Sequence, residues 1–234
     1  MLFRSDEMCM NLRSAIEDIL TMPYYKNEHA RSGGAHFGHE AAVAERLKNA
    51  GFSEILREKY PGLSKTLLKR WAETGNDTDL HLATVGMPVG SYILQPAGSQ
   101  NFPDILLRDF NGRFVAIECK SGKTGLAPMW NDNLPKPNTI YILSSGKENA
   151  TTVFMGRDVM TADMLASQQQ MVDELKKIVL KYKTINEQLD VFHRGWSIKF
   201  RPQNFQGGGL KKTNYFAHTD RSVCEKNVLE FSAL

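Results

Sequence analysis

Cysteine is scarce. Three residues, Cys9, Cys119 and Cys224, are scattered over 234 positions without a C-x-x-C pair. That excludes a disulfide-built scaffold and a cysteine zinc site, and makes a reducing compartment the default. No apolar run reaches the roughly 20 residues of a membrane helix. The start, Met1-Leu2-Phe3-Arg4-Ser5-Asp6-Glu7, turns acidic at once and lacks the apolar segment of a signal peptide. A cytoplasmic protein with no membrane partner is expected. Excess charge is also small: 29 basic against 26 acidic residues leaves +3, so any nucleic-acid surface must be local. A nucleotide cradle is missing too. Gly122-Lys123-Thr124 tempts a phosphate-loop reading, but the motif requires glycine at position 117, which is Ile117. No nucleotide cofactor is expected. No Ser-His-Asp or Cys-His constellation is legible, so nothing suggests covalent catalysis.

What is present is an ordinary globular composition, 41% hydrophobic and 24% charged, enough for a sizeable core in a single domain. The chain divides into a helical part over 1–90, a sheet over 91–160, and a long helix with a basic hairpin over 161–234. The central stretch runs from Asn101 to Lys120. Ile105-Leu106-Leu107 follows Pro103-Asp104, Asn111-Gly112 supplies turn chemistry, and Phe114-Val115-Ala116-Ile117 leads into Glu118-Cys119-Lys120. Alternation on a strand puts Glu118 and Lys120 on one face and Cys119 on the other, where it packs into the core. The hairpin can gather Asp104, Glu118 and Lys120 at one end of a sheet. Burying two carboxylates and an ammonium is costly, and a divalent cation between the carboxylates offsets their repulsion.

Around this hairpin, Ser5-Asp6-Glu7 can open a helix with an apolar stripe through Met8, Leu12, Ile16 and Ile19 that stops by Pro23. Gly38 to Leu47 reads as a helix closed at Gly51. His36 and His39 flank its start, and neither is assigned to a metal. Pro61 to Glu73 reads as a helix whose basic flank, Lys65, Lys69 and Arg70, is a solvated face or a DNA-backbone contact. Thr74 to Gly90 reads as mostly loop. Ser91 to Gln95, Thr139 to Leu143 and Thr151 to Phe154 read as strands, with a long polar loop over Met129 to Asn138. A long helix from Thr161 to about Leu189 carries Met164, Met171, Leu175, Ile178, Val179, Tyr182 and Ile185 at helical spacing. It packs on the sheet or forms a dimer interface.

Pro103-Asp104 followed by Glu118-Cys119-Lys120 resembles the PD-(D/E)xK nuclease superfamily, and within it a type II restriction endonuclease. The resemblance covers about Gly38 to Phe154. It implies an α/β fold with a restriction-endonuclease-like core, a mixed central sheet flanked by helices. It also implies an Mg²⁺-dependent phosphodiesterase acting on double-stranded DNA. Asp104 and Glu118 would hold the metal, and Lys120 would orient or activate the attacking water. Many members carry a glutamate on the helix before the hairpin. Glu40 matches that position as an accessory ligand, with Glu45 the competing choice about 140° further round the helix.

Ser121 and Lys123 are candidate phosphate contacts beside Lys120. From Arg194 to Arg221 the chain holds six basic residues against one acid. Trp196 to Arg201 and Thr213 to His218 read as strands around a glycine-rich turn. Lys199, Arg201, Lys211 and Lys212 are candidate phosphate contacts, and the amides of Gln203, Asn204 and Asn214 are of the type that reads base edges. A homodimer would place two active sites on the two strands of a palindrome. A structure-selective repair or junction-resolving nuclease is the enzyme alternative, and a non-cleaving DNA-binding module of the same fold the non-enzyme one.

Overall fold

The computed structural model describes residues 11–25, 38–99, 101–124, 126–128, 130–131, 134–195, 203–204, 206 and 213–234. In chain order the helices are α1 (Leu12–Leu20), α2 (His39–Asn49), α3 (Lys65–Thr74), α4 (Thr78–Ala83), α5 (Gly156–Val159), α6 (Ala162–Leu189) and α7 (Arg221–Ala233). The strands are β1 (Ser53–Glu54), β2 (Ser91–Leu94), β3 (Ile105–Arg108), β4 (Phe114–Gly122), β5 (Trp130–Asn131), β6 (Thr139–Ser145), β7 (Ala150–Met155) and β8 (Gln203–Asn204).

Six strands form one open mixed sheet in the order β1-β2-β3-β4-β6-β7. β2, β3 and β4 run antiparallel in succession, β6 lies parallel to β4, and β7 returns antiparallel to β6. The α/β class and the mixed sheet flanked by helices are as the sequence led us to expect. Residues 123–138 make the β4–β6 crossover, and among its described residues there is no helix. Its strand β5 pairs with β8 from much later in the chain. Among the described residues, no helix is long and apolar enough to cross a membrane.

Alternation along the strands builds two layers. Ile105, Leu107, Val115, Ile117, Ile140, Ile142, Val153 and Met155 face α1, α2 and α7. Ile93, Leu106, Phe114 and Ala116 face α3 and α4 on the other side. Further along that second face, Tyr141, Leu143 and Phe154 pack with Trp130 and Tyr215. Glu118 and Lys120 follow Phe114 and Ala116 in the same alternation, so they rise between these two clusters.

Local chemistry explains the boundaries. Asn11 Oδ1 accepts the Ser14 N–H and starts α1. Residues before Asn11, including the expected start at Ser5-Asp6-Glu7, lie outside the described residues. α3 starts later than Pro61, because Ser64 Oγ accepts the Leu67 N–H while Pro61 and Gly62 form a turn. The stretch expected as loop after Thr74 contains α4, whose buried Leu80 docks it on the α3 layer. The β3–β4 turn uses one left-handed residue, Gly112 at φ 84°. Asp109 Oδ1 binds the N–H groups of Asn111 and Arg113 and shapes the rest of the turn.

Thr213 to His218 does not form the expected strand. Asn214 makes a single bridge to Leu126, and its Oδ1 accepts the N–H groups of Phe216 and Ala217, which turns the chain. Helix α7 then closes the chain over the sheet, with Val228 in the main core.

Backbone meets backbone tightly at Gly156, where a Cβ would stand 2.0 Å from the Lys136 carbonyl oxygen. Gly156→Ala therefore has to push α5 away from the crossover. A loss of about 1–3 kcal/mol or more is expected, read as a lower denaturant midpoint at unchanged slope. An unchanged midpoint would show that this contact is slack.

Candidate active site

Asp104, Glu118, Lys120 and Glu40 converge at one end of the β2–β3–β4 sheet. Each is delivered by a different local device. The last β2–β3 contact has the Gln95 N–H donating to the Asp104 carbonyl at 2.7 Å. This pins the Asp104 backbone, and its side chain then turns toward β4, where Oδ2 accepts the Cys119 N–H at 2.7 Å. Glu118 and Lys120 are two apart on β4 and share a face, and Lys120 Nζ donates to Glu118 Oε1 at 2.5 Å.

Glu40 comes from the first turn of α2, on a separate layer. Gln95 Nε2 donates to Glu40 Oε2 at 3.3 Å. The same residue thus touches Asp104 through its backbone and Glu40 through its side chain, from a left-handed backbone at φ 45°. Next door, buried His39 anchors the start of α2 to the sheet, its Nε2 lying 3.2 Å from the Ile142 carbonyl. Burial lowers the His39 pKa and outweighs the opposing pull of that carbonyl, so the ring stays neutral and Nε2–H donates. Glu45 lies on another side of α2, 67% exposed, with Arg46 3.9 Å away. Of the two competing glutamates, Glu40 is the one brought to the site.

Crowding of negative charge dominates the electrostatics. Burial, then Glu118, then Glu40 push the Asp104 pKa up to about 8, against the opposing effects of Lys120 and the Cys119 N–H. For Lys120, burial acts to lower the pKa. The Glu118 charge, the hydrogen bond to it and Asp104 outweigh burial and raise it. The ammonium therefore stays protonated and is not a free base here. Cys119 is driven well above its ordinary value by burial and by the surrounding carboxylates, so it remains a thiol. It packs against the main core, as expected for its side of β4. Tyr141, the register partner of Glu118 on β6, is likewise raised by burial and by Glu118.

Among the described residues, no group of three or more His, Cys, Asp or Glu is arranged to hold a metal ion. The donor set here is the pair Asp104 and Glu118. Glu118 Oε2 is buried and has no hydrogen-bond partner, although the other oxygen is engaged by Lys120. An orphaned carboxylate oxygen beside a carboxyl forced to keep its proton fits a missing positive charge. Mg²⁺ commonly binds through one or two carboxylates, with waters and substrate phosphate completing its shell. A two-carboxylate site is therefore compatible with it.

The remaining expected contacts are dispersed. Ser121 is exposed on the strand face opposite Lys120, and Lys123 is exposed just past β4. Lys199, Arg201, Lys211 and Lys212 lie outside the described residues. Gln203 and Asn204, expected in the stretch between the two tail strands, form β8 against β5. Asn214 is half-buried, and its Oδ1 is already committed to the turn before α7. The α3 flank contributes Lys69 and Arg70 to a cleft of about 410 Å³ that also includes Lys136 and Lys176. α3 packs on the second face, the face Glu118 and Lys120 share. Buried Lys136 is tied to Glu73 in that cleft.

Sequence reasoning passed over Gln95 and His39. The signal for Gln95 was slight: a polar residue ending an apolar strand eight residues before Pro103. His39 shows nothing in sequence that separates an anchoring histidine from a cap. No protein-family model matches this chain, and neither does any curated protein or solved structure.

The raised Asp104 pKa predicts how stability varies with pH. The folded cluster keeps a proton up to about pH 8, whereas the ordinary carboxyl loses its proton near 3.8. Folding therefore binds a proton across that window, and stability falls as pH rises through it. Asp104→Asn removes the effect and can still accept the Cys119 N–H. In metal-free thermal melts the variant should exceed the wild type above about pH 8, with the gap closing toward pH 4. An identical pH slope in both proteins would refute the crowding.

Proposed function

We propose that this protein is a metal-dependent endodeoxyribonuclease that cleaves double-stranded DNA at a specific short sequence, in the manner of a type II restriction endonuclease. The observation that carries the reading is the junction of Asp104, Glu118 and Lys120 at the end of β3 and β4, with Glu40 entering from α2. The order α2, β2, β3, β4, β6 supports a restriction-endonuclease-like core around that junction. The protein would act in the cytoplasm, as a homodimer addressing both strands of a duplex.

Asp104 and Glu118 would hold Mg²⁺, which supplies phosphate polarisation and a lowered pKa for bound water. The chain contributes the rest. Asp104 must give up its proton to act as a ligand, so binding should strengthen as pH rises toward about 8. Lys120, held as a cation by the carboxylates, orients the attacking water and stabilises charge gathering on the phosphate. Glu40, steered by Gln95, completes the acidic wall from the α2 side. Lys69, Arg70 and Lys176 offer a basic approach for the DNA backbone on the Lys120 face.

Incubation of supercoiled plasmid and sequenced linear DNA with Mg²⁺ tests the reading. Discrete fragments support site-specific cleavage, whereas cutting confined to branched DNA moves the protein to the structure-selective class. The absence of cleavage with any divalent ion rejects an active nuclease. Lys120→Ala should lower the rate about a hundredfold or more while mobility-shift binding in Ca²⁺ is largely kept. Full activity in that variant would remove Lys120 from the chemistry.

A further inference from the structure

Helix α6 spans 28 residues, about 42 Å at 1.5 Å per residue. Val172 is its one buried residue. Nine of the fifteen exposed large hydrophobic residues among those described lie between Met164 and Phe192. A helix of this length with so little packing lacks its usual source of stability, which is tertiary burial of one face.

Six of the exposed residues are ordered. Met164, Met171, Leu175, Ile178, Tyr182 and Leu189 are exposed, and with the half-buried Gln168 and Ile185 they follow one another at alternating steps of four and three. This is a heptad seam, with Gln168, Leu175, Tyr182 and Leu189 at a and the others at d. Ile178 is 53% exposed and Met164 55%. Gln169, Val172, Asp173 and Lys176, which line the cleft against α3, fall at b, e and f. The side toward the body and the heptad seam are therefore neighbouring but distinct stripes of the same helix.

We propose that the seam binds α6 of a second copy of this chain as an antiparallel coiled coil. Antiparallel pairing about the helix centre sets Leu175 against Ile178 of the second copy, then Met171 against its Tyr182, and Met164 against its Leu189 at the ends. Charge decides the direction. In the antiparallel arrangement the g positions flank one another, so Glu174 meets Lys181 of the second copy, twice by symmetry. A parallel pair would set Glu174 beside Val179 and Lys181 beside Asn186, and would form no ion pair. Glu174 already accepts a hydrogen bond from Gln170 of its own helix at Oε1, which leaves the second oxygen for the lysine. Gln168, the only polar seam residue, falls in the second layer from each end, facing Ile185 of the second copy. This assembly stands whether or not the chain cleaves DNA.

Sedimentation equilibrium of the full chain, without DNA, tests it. The wild type should be a dimer at micromolar concentration. Leu175→Glu with Ile178→Glu should be monomeric, with its thermal transition retained because both residues face solvent in the single chain. Glu174→Lys alone and Lys181→Glu alone should each weaken association by about three- to tenfold, and the double charge swap should restore it. A monomeric wild type, or a double-glutamate variant that remains dimeric, overturns the interface. A charge swap as weak as its parents overturns the antiparallel direction.

Discussion

The constraint on which the structure turns is the crowding of Glu118, Glu40 and one lysine around Asp104 at the end of a buried hairpin. Left to itself this arrangement is unfavourable. Asp104 holds a proton that an ordinary aspartate would lose, and one Glu118 oxygen has no partner. What keeps it together is the layer beneath. Ile105, Leu107, Val115 and Ile117 are fully or almost fully buried, each contributing roughly 1.5–3 kcal/mol. They fix β3 against β4 in a register that permits no retreat of the carboxylates. The apolar face of the hairpin thus offsets the strain at its polar end.

Gln95 and His39 show how two layers are brought to one point. Glu40 belongs to a helix that packs on the α1–α7 side, whereas Glu118 and Lys120 rise on the opposite face of the sheet. They can share a neighbourhood only at the sheet's end, where faces cease to separate. His39 fixes α2 longitudinally by its bond to β6, and Gln95 ties Glu40 to the same residue that pins Asp104. The site is therefore sensitive to how α2 seats on the sheet.

The helix α6 is governed by a different balance. It shares little surface with the body, so the body does not dictate its apolar stripe. The heptad spacing and the Glu174–Lys181 charge order run along the exposed side. The b, e and f positions suffice for docking beside α3. The docking side and the exposed heptad stripe are thus separated on one helix by rotation about its axis.

The sequence alone determined the hairpin, because alternation, a turn glycine and a proline just before its first strand are local signals. It also determined the chemical content of the site, since strand periodicity puts Glu118 and Lys120 on one face and Asp104 directly precedes the first strand of the hairpin. The start of α3 and the helix α4 escaped notice. Their boundaries depend on one serine cap and on docking of Leu80, neither of which alters composition. The segment from Thr213 to His218 has strand-like residues, but Asn214 diverts it into a turn by bonding its own backbone. Only the tertiary structure chose Glu40 over Glu45 and recruited Gln95, because both depend on where a helix lands on a sheet. Only it separated the seam of α6 from its docking side, because periodicity identifies an apolar stripe but not what covers it.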